Sequence, residues 1–184
     1  LSQRDIRKKG VCLVPEDRML YGIAGAASIQ ENIISDRCGD KRLNKGLLFD
    51  MKAIHEETDR LIRDYTVLCK SRDQRVDNLS GGNIQKVLLG REIAFTPKLL
   101  MAAYPVRGLD INSSYIIYNL LNRQKKNGVA VIFVGEDLDV LLELCDRIVV
   151  LCGGQVSGVV DARKTDKREV GALMTLVRGG NKDE

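Results

Sequence analysis

Apolar positions along this chain fall into two rhythms. Compact apolar runs at residues 11–14, 99–103, 129–134 and 147–151 read as strands, the first of them stopped by Pro15. Between the runs, apolar residues recur at helical spacing. Ser2 with Asp5, followed by Arg7, Lys8 and Lys9 before Gly10, predicts a short helix with an N-cap, an acid in its first turn, bases in its last and a terminating glycine. Ser28 with Glu31 predicts a capping box and a brief helix through Ile34. Asp50 caps a longer amphipathic helix in which Ile54, Leu61 and Ile62 are interleaved with charged residues. A helix that opens at residues 79–82 carries Ile84, Val87, Leu88, Arg91 and Ile93 at helical spacing, and Pro97 stops it. Two more helices are read at residues 112–126, ended by Gly128, and at 138–144. Gly153-Gly154 turns the last apolar run into a hairpin with residues 156–160, and Asp166 with Glu169 caps a final helix through Val177, ahead of a frayed tail at 179–184. Residues 15–27 and 36–46 read as loops, and 69–78 as a solvated loop.

The repeated strand-helix-strand order in the second half predicts an α/β fold with a mostly parallel sheet and right-handed crossovers. Composition keeps the picture within ordinary globular proteins: 184 residues suffice for one core, with 44% hydrophobic and 29% charged residues. A net charge of +4, with both signs interspersed, gives no argument for nucleic acid. All apolar runs fall short of the roughly 18 residues that cross a bilayer. The five cysteines, Cys12, Cys38, Cys69, Cys145 and Cys152, form no C-x-x-C pair, so neither a disulfide framework nor a zinc site is read, and no metal ligands are assigned. The single histidine, His55, lies on the charged helix away from every motif and reads as a surface residue.

One string carries chemistry. Ser80-Gly81-Gly82 opens a helix, where unpaired backbone N–H groups and the positive end of the helix dipole favour a phosphate. The string continues as Leu79-Ser80-Gly81-Gly82-Asn83-Ile84-Gln85-Lys86, followed by Gly90-Arg91-Glu92, Pro97-Lys98, the run 99–103 and Pro105-Val106-Arg107-Gly108-Leu109-Asp110. With Val14-Pro15-Glu16-Asp17-Arg18 ahead and Asp146-Arg147-Ile148 behind, the ordered series resembles the second part of an ABC-type ATP-binding domain, in particular the C-terminal nucleotide-binding domain of double-domain subunits that drive simple-sugar and nucleoside importers. The resemblance covers nearly the whole chain.

That resemblance implies a P-loop NTPase-like core with an inserted helical subdomain, in which two domains pair head to tail around ATP and Mg²⁺. Residues 1–17 would belong to the core sheet up to the Q-loop region at Pro15 and Glu16. Residues 18–85 would form the helical subdomain, 86–163 the nucleotide-binding core and 164–184 a C-terminal helix and tail. Leu79, Ser80, Gly81, Gly82, Asn83 and Gln85 would be the signature that holds the γ-phosphate of an ATP bound by the partner domain, and Asp110 the D-loop acid. Other implied partners are permease subunits and, indirectly, an extracytoplasmic substrate-binding protein, at the cytoplasmic face of a bacterial plasma membrane.

The opposite half of such a site departs from the pattern. No G-x-x-x-x-G-K-[ST] string occurs in the sequence, as though the chain were cut after its P-loop helix. Ala103 and Tyr104 stand where Walker B carries Asp and Glu, and Glu136 stands at the switch histidine. An alanine offers no oxygen to Mg²⁺, and a tyrosine is a poor base near neutral pH. The isolated chain is therefore expected to be inactive, and its sheet to have an exposed edge or a vacant central place that favours self-association. The competing reading is a non-catalytic regulatory or interaction module with the same fold.

Overall fold

The computed structural model describes residues 2–46 and 48–175. They divide into two compact units, Leu1–Val134 and Gly135–Glu184.

The first unit opens with α1 (Gln3–Lys8), where Ser2 and Asp5 form the expected capping box, and β1 (Val11–Val14). A π-helical turn, Arg18–Gly22, follows where a loop is read from the sequence; the Asp17 side chain nucleates it by accepting from Met19 and Leu20 N–H. Next come α2 (Ile29–Ile34), a 3₁₀ turn at Lys41–Leu43, a short ribbon of β2 (Asn44–Lys45) and β3 (Leu48–Phe49), and α3 (Met51–Asp64). The unit closes with α4 (Gly81–Ile93), β4 (Leu99–Ala103), α5 (Ile111–Lys126) and β5 (Ala130–Val134). Strands β1, β4 and β5 make a parallel sheet in that order, with Val11 opposite Leu99 and Leu99 opposite Ala130.

One core serves both the sheet and the helices inserted after β1. Val14, Leu100 and Ala102 belong to the same apolar cluster as Ile29, Ile33, Leu61, Val87 and Leu88. The stretch 18–85 thus shares its core with the sheet. At the centre lies α4, whose residues 82–92 are all buried. Neighbours on every side cover this helix: α2, α3, α5 and β1 all pack against α4. Two of its polar side chains find internal partners, Lys86 Nζ donating to Thr66 O at 2.9 Å and Arg91 Nη2 to Gly22 O at 2.6 Å. The fully buried Glu92 faces Arg7 at 3.0 Å and Arg91 at 2.9 Å.

Residues 69–78 expose most of their side chains, as expected of a solvated loop, but they are anchored through the backbone. Their backbone docks on the start of α2, with Ile29 N–H donating to Gln74 O at 3.0 Å and Val76 N–H to Ala27 O at 3.0 Å, and Val76 is fully buried. Backbone hydrogen bonds, to which a polar sequence gives no clue, make this attachment. Among the described residues of this unit β4 is the one strand partner of β5, and Ile132 and Val134 on β5 are exposed.

The second unit holds α6 (Leu138–Leu144), the antiparallel ribbon of β6 (Arg147–Cys152) and β7 (Gln155–Asp161), and α7 (Lys167–Thr175). Its own small core is Ile148, Val150, Ala162 and Val170. The expected end of the last helix at Val177 and the tail at 179–184 lie outside the described residues.

Candidate functional site

In the first unit α1, α2, α3 and α5 each begin after a serine or an aspartate that caps them, and α4 does not. Ser2 Oγ accepts from Asp5 N–H at 3.2 Å, Ser28 Oγ from Glu31 N–H at 3.1 Å, and Asp110 Oδ1 from Ser113 N–H at 2.9 Å. Ser80 occupies the N-cap place of α4 with the same extended backbone, yet its side chain caps nothing. The first intrahelical bond of α4 runs from Ile84 N–H to Ser80 O at 2.9 Å, so the N–H groups of Gly81, Gly82 and Asn83 precede the hydrogen-bond ladder. A helix that leaves its first donors free offers them, with the positive end of its dipole, to an anion. Ser80 is exposed and Gly81 half-exposed, which leaves this end of α4 accessible.

Gly82 is also required by the chain itself, and Gly81 lies in a tight place. A Cβ on Gly82 would lie 2.4 Å from Ser113 Oγ, and one on Gly81 would lie 3.0 Å from Arg18 Nη2 and 3.4 Å from Leu109 Cδ2. The start of α5 and the π-helical turn therefore close in on the start of α4. Arg18 ties this region together, since its Nη1 donates to Arg107 O at 3.0 Å while the Arg107 guanidinium pairs with Glu16. Sequence reading alone gives Arg18 no place at this site and misses Ser113; the pair of adjacent glycines permits close approach without saying what approaches.

The predicted signature residues have different surroundings. Leu79 is half-buried and belongs to the core of the unit. Asn83 is buried, and its side chain links Leu68 N–H to Ser80 Oγ. Gln85 is 2% exposed, in the interior of the unit. Asp110 is exposed at the start of α5, and its hydrogen bonds from the Ser113 hydroxyl and N–H hold its carboxyl below the ordinary carboxylate range. Pro15 is half-buried and Glu16 exposed, directly after β1. Lys86, one turn into α4, has its pKa lowered by burial.

At the other end of the chemistry, Ala103 closes β4 opposite Val134 of β5, and Tyr104 follows with a left-handed φ of 45° while its N–H donates to Val134 O at 2.8 Å. Such a backbone is strained for an aromatic residue. This end provides a methyl and a phenol and no carboxylate, so the residues present do not fit Mg²⁺, a hard cation that demands a set of oxygen ligands. Among the described residues no group of three or more His, Cys, Asp or Glu side chains comes together. Glu136 is exposed in the second unit. His55 is half-exposed on α3. No described helix is long and apolar enough to cross a membrane.

No family model matches the chain. Among curated proteins it is 34% identical, over 95% of its length, to a glucose import ATP-binding protein of Haloferax volcanii. Identity is 36% over 94% of the chain with a ribose import ATP-binding protein of Bacillus subtilis, and 34% over 98% with a nucleoside import ATP-binding protein of Lactococcus lactis. The chain spans about a third of the length of these relatives: 32%, 34% and 35%. Among solved structures, the ATP-binding cassette MJ0796 bound to ADP and Pi superposes with a TM-score of 0.73 at 20% identity, over 90% of this chain and 69% of the other.

Proposed function

We propose that this chain, homologous over nearly its whole length to the ATP-binding proteins of sugar and nucleoside importers and folded as an ABC ATPase cassette, donates a phosphate-binding loop to an ATP site completed by a second domain. The observation that carries the reading is the uncapped start of α4. Ser80 supplies a hydroxyl, and Gly81 and Gly82 supply N–H groups, to the γ-phosphate of a nucleotide whose remaining ligands come from the partner. In the assembled subunit, ATP and Mg²⁺ supply the phosphoryl chemistry, and residues 80–82 of this chain orient and neutralise the terminal phosphate. Asp110 lines the same face through its cap of α5.

The end of β4 takes no catalytic part on this reading, because Ala103 and Tyr104 hold neither a metal nor a base. One ATP site of the assembly is then hydrolytic and the other degenerate. The role places the chain in a longer subunit that contains a second nucleotide-binding domain and works with permease subunits at the cytoplasmic face of the membrane. Among the described residues no second strand pairs with β5, and that edge gives the isolated chain a site for strand pairing, either with another segment of that subunit or with a second copy.

The test is hydrolysis in the assembled subunit. Ser80→Arg fills the phosphate position with a bulky side chain and is expected to lower turnover by about a hundredfold or more, as the loss of an oriented anion-binding element does. Undiminished turnover would overturn the assignment. Assembly with a nucleotide-independent role, the regulatory alternative, would show Ser80→Arg indistinguishable from the parent in both hydrolysis and ATP binding.

A further inference from the structure

The side chain of Asn83 forms a chain of hydrogen bonds whose direction is fixed. Leu68 N–H can only donate, and its acceptor is Asn83 Oδ1 at 2.9 Å. The oxygen of the amide is thereby assigned, so the amide nitrogen Nδ2 is the atom that faces Ser80 Oγ at 2.9 Å. Ser80 Oγ must accept that bond. Among the described residues no acceptor takes the proton of the Ser80 hydroxyl, so that proton is left for a group outside the chain. At Ser2 and Ser28 the residue three positions on is an acid that accepts from the serine's backbone N–H, and the hydroxyl is spent on the helix. At Ser80 that residue is an amide that donates, and the hydroxyl is kept free.

We propose that Asn83 is a positioning residue that sets the polarity of the Ser80 hydroxyl, so that Ser80 presents a donor to the γ-phosphate. The inference rests on the reading of residues 80–82 as a phosphate-binding loop, and adds that Asn83, itself buried, acts through Ser80 and touches no ligand. Its other anchor is the backbone at Leu68, just beyond α3, so the orientation of the hydroxyl depends on how that segment seats against α4.

The polarity can be reversed with little change of shape. Asn83→Asp keeps an oxygen for Leu68 N–H but places a second acceptor against Ser80 Oγ, which then turns its proton inward. In the assembled subunit at pH 8, kcat/KM for ATP is expected to fall about tenfold or more, the worth of one charge-assisted hydrogen bond. Asn83→Ala removes the brace without reversing it; the hydroxyl can still rotate outward, and a loss of about threefold is expected, smaller than one oriented hydrogen bond. Burial raises the pKa of the introduced carboxyl, so the ratio of Asn83→Asp to wild type is expected to climb as pH falls from 8 towards about 5.5, when the protonated acid again donates to Ser80. Normalising to wild type at each pH removes contributions from Arg18, Lys86 and Asp110, the other charged groups near this end of α4. Thermal unfolding of each variant reports folding separately.

Ser80→Arg separates the two ideas. If it leaves hydrolysis intact, the phosphate-loop reading falls and this inference with it. If Ser80→Arg is inactive, three results overturn the role of Asn83 alone: Asn83→Asp as active as wild type at pH 8, a ratio that stays flat with pH, or Asn83→Ala as damaging as Asn83→Asp.

Discussion

The start of α4 and the end of β4 lie in the same unit and share its core, yet they have opposite chemical character. At the start of α4 a serine hydroxyl caps no backbone group, three backbone N–H groups precede the helix ladder, and α5 presses so closely that only glycine fits at 82. At the end of β4 there is a methyl, and then a tyrosine in a left-handed conformation. The first arrangement depends on backbone groups and close packing, which the fold itself supplies. The second would need two carboxylates that the sequence does not have. Two ends of one core can therefore differ in what they offer a ligand, and the fold alone does not reveal which of them works.

Four measurements sharpen that contrast. The largest structural effect is expected at the α4 core: Leu88→Ala removes a fully buried side chain and should cost about 2–5 kcal/mol in denaturant unfolding. A smaller loss would mean that α4 is less tightly enclosed than its burial indicates. Next, Gly82→Ala should destabilise by about 1–3 kcal/mol, because its methyl meets Ser113, and it should also lower hydrolysis by the assembled subunit. Ser113→Gly in the same background should recover part of the stability; no recovery would show that the close approach of α5 is not what demands a glycine.

A weaker effect concerns the core beneath the site. Burial pushes the Cys12 thiol up from 9.0 to about 11. The unfolded chain ionises this thiol first, so the folded state loses stability as pH rises from about 9 through about 11. Cys12→Ala should flatten that alkaline slope, and an unchanged slope would place the titration elsewhere. The smallest expected effect is at the end of β4. Tyr104→Phe removes the phenolic proton and should leave hydrolysis within about twofold, given that a phenol is no base for water near neutral pH. A tenfold loss would return chemistry to a place where the account finds none.

Much of this arrangement is legible in the sequence where the signals are local. Ser2 with Asp5, Ser28 with Glu31, and Asp50 marked three helix starts, and each appears as a cap in the structure. The apolar runs at 11–14 and 99–103 became neighbouring parallel strands. What could not be read depends on contacts distant in sequence. Residues 69–78 look solvated because their side chains are polar, while their backbone is pinned to the start of α2. The enclosure of α4 on all sides hides the usual amphipathic pattern, since Gln85, Arg91 and Glu92 are buried with it. At the site, Ser80, Gly81 and Gly82 were visible as a motif, but the failure of Ser80 to cap its helix, and the hold of Asn83 on its hydroxyl, exist only in three dimensions.

The most direct test of the central claim asks what lies against the terminal phosphate. Vanadate trapped with ADP in the assembled subunit takes the place of the γ-phosphate, and ultraviolet light then cleaves the backbone at the residues that touch it. Cleavage within residues 80–82 is expected, at the helix start whose donors are free. A trap that forms and cleaves elsewhere while sparing this loop would contradict the account.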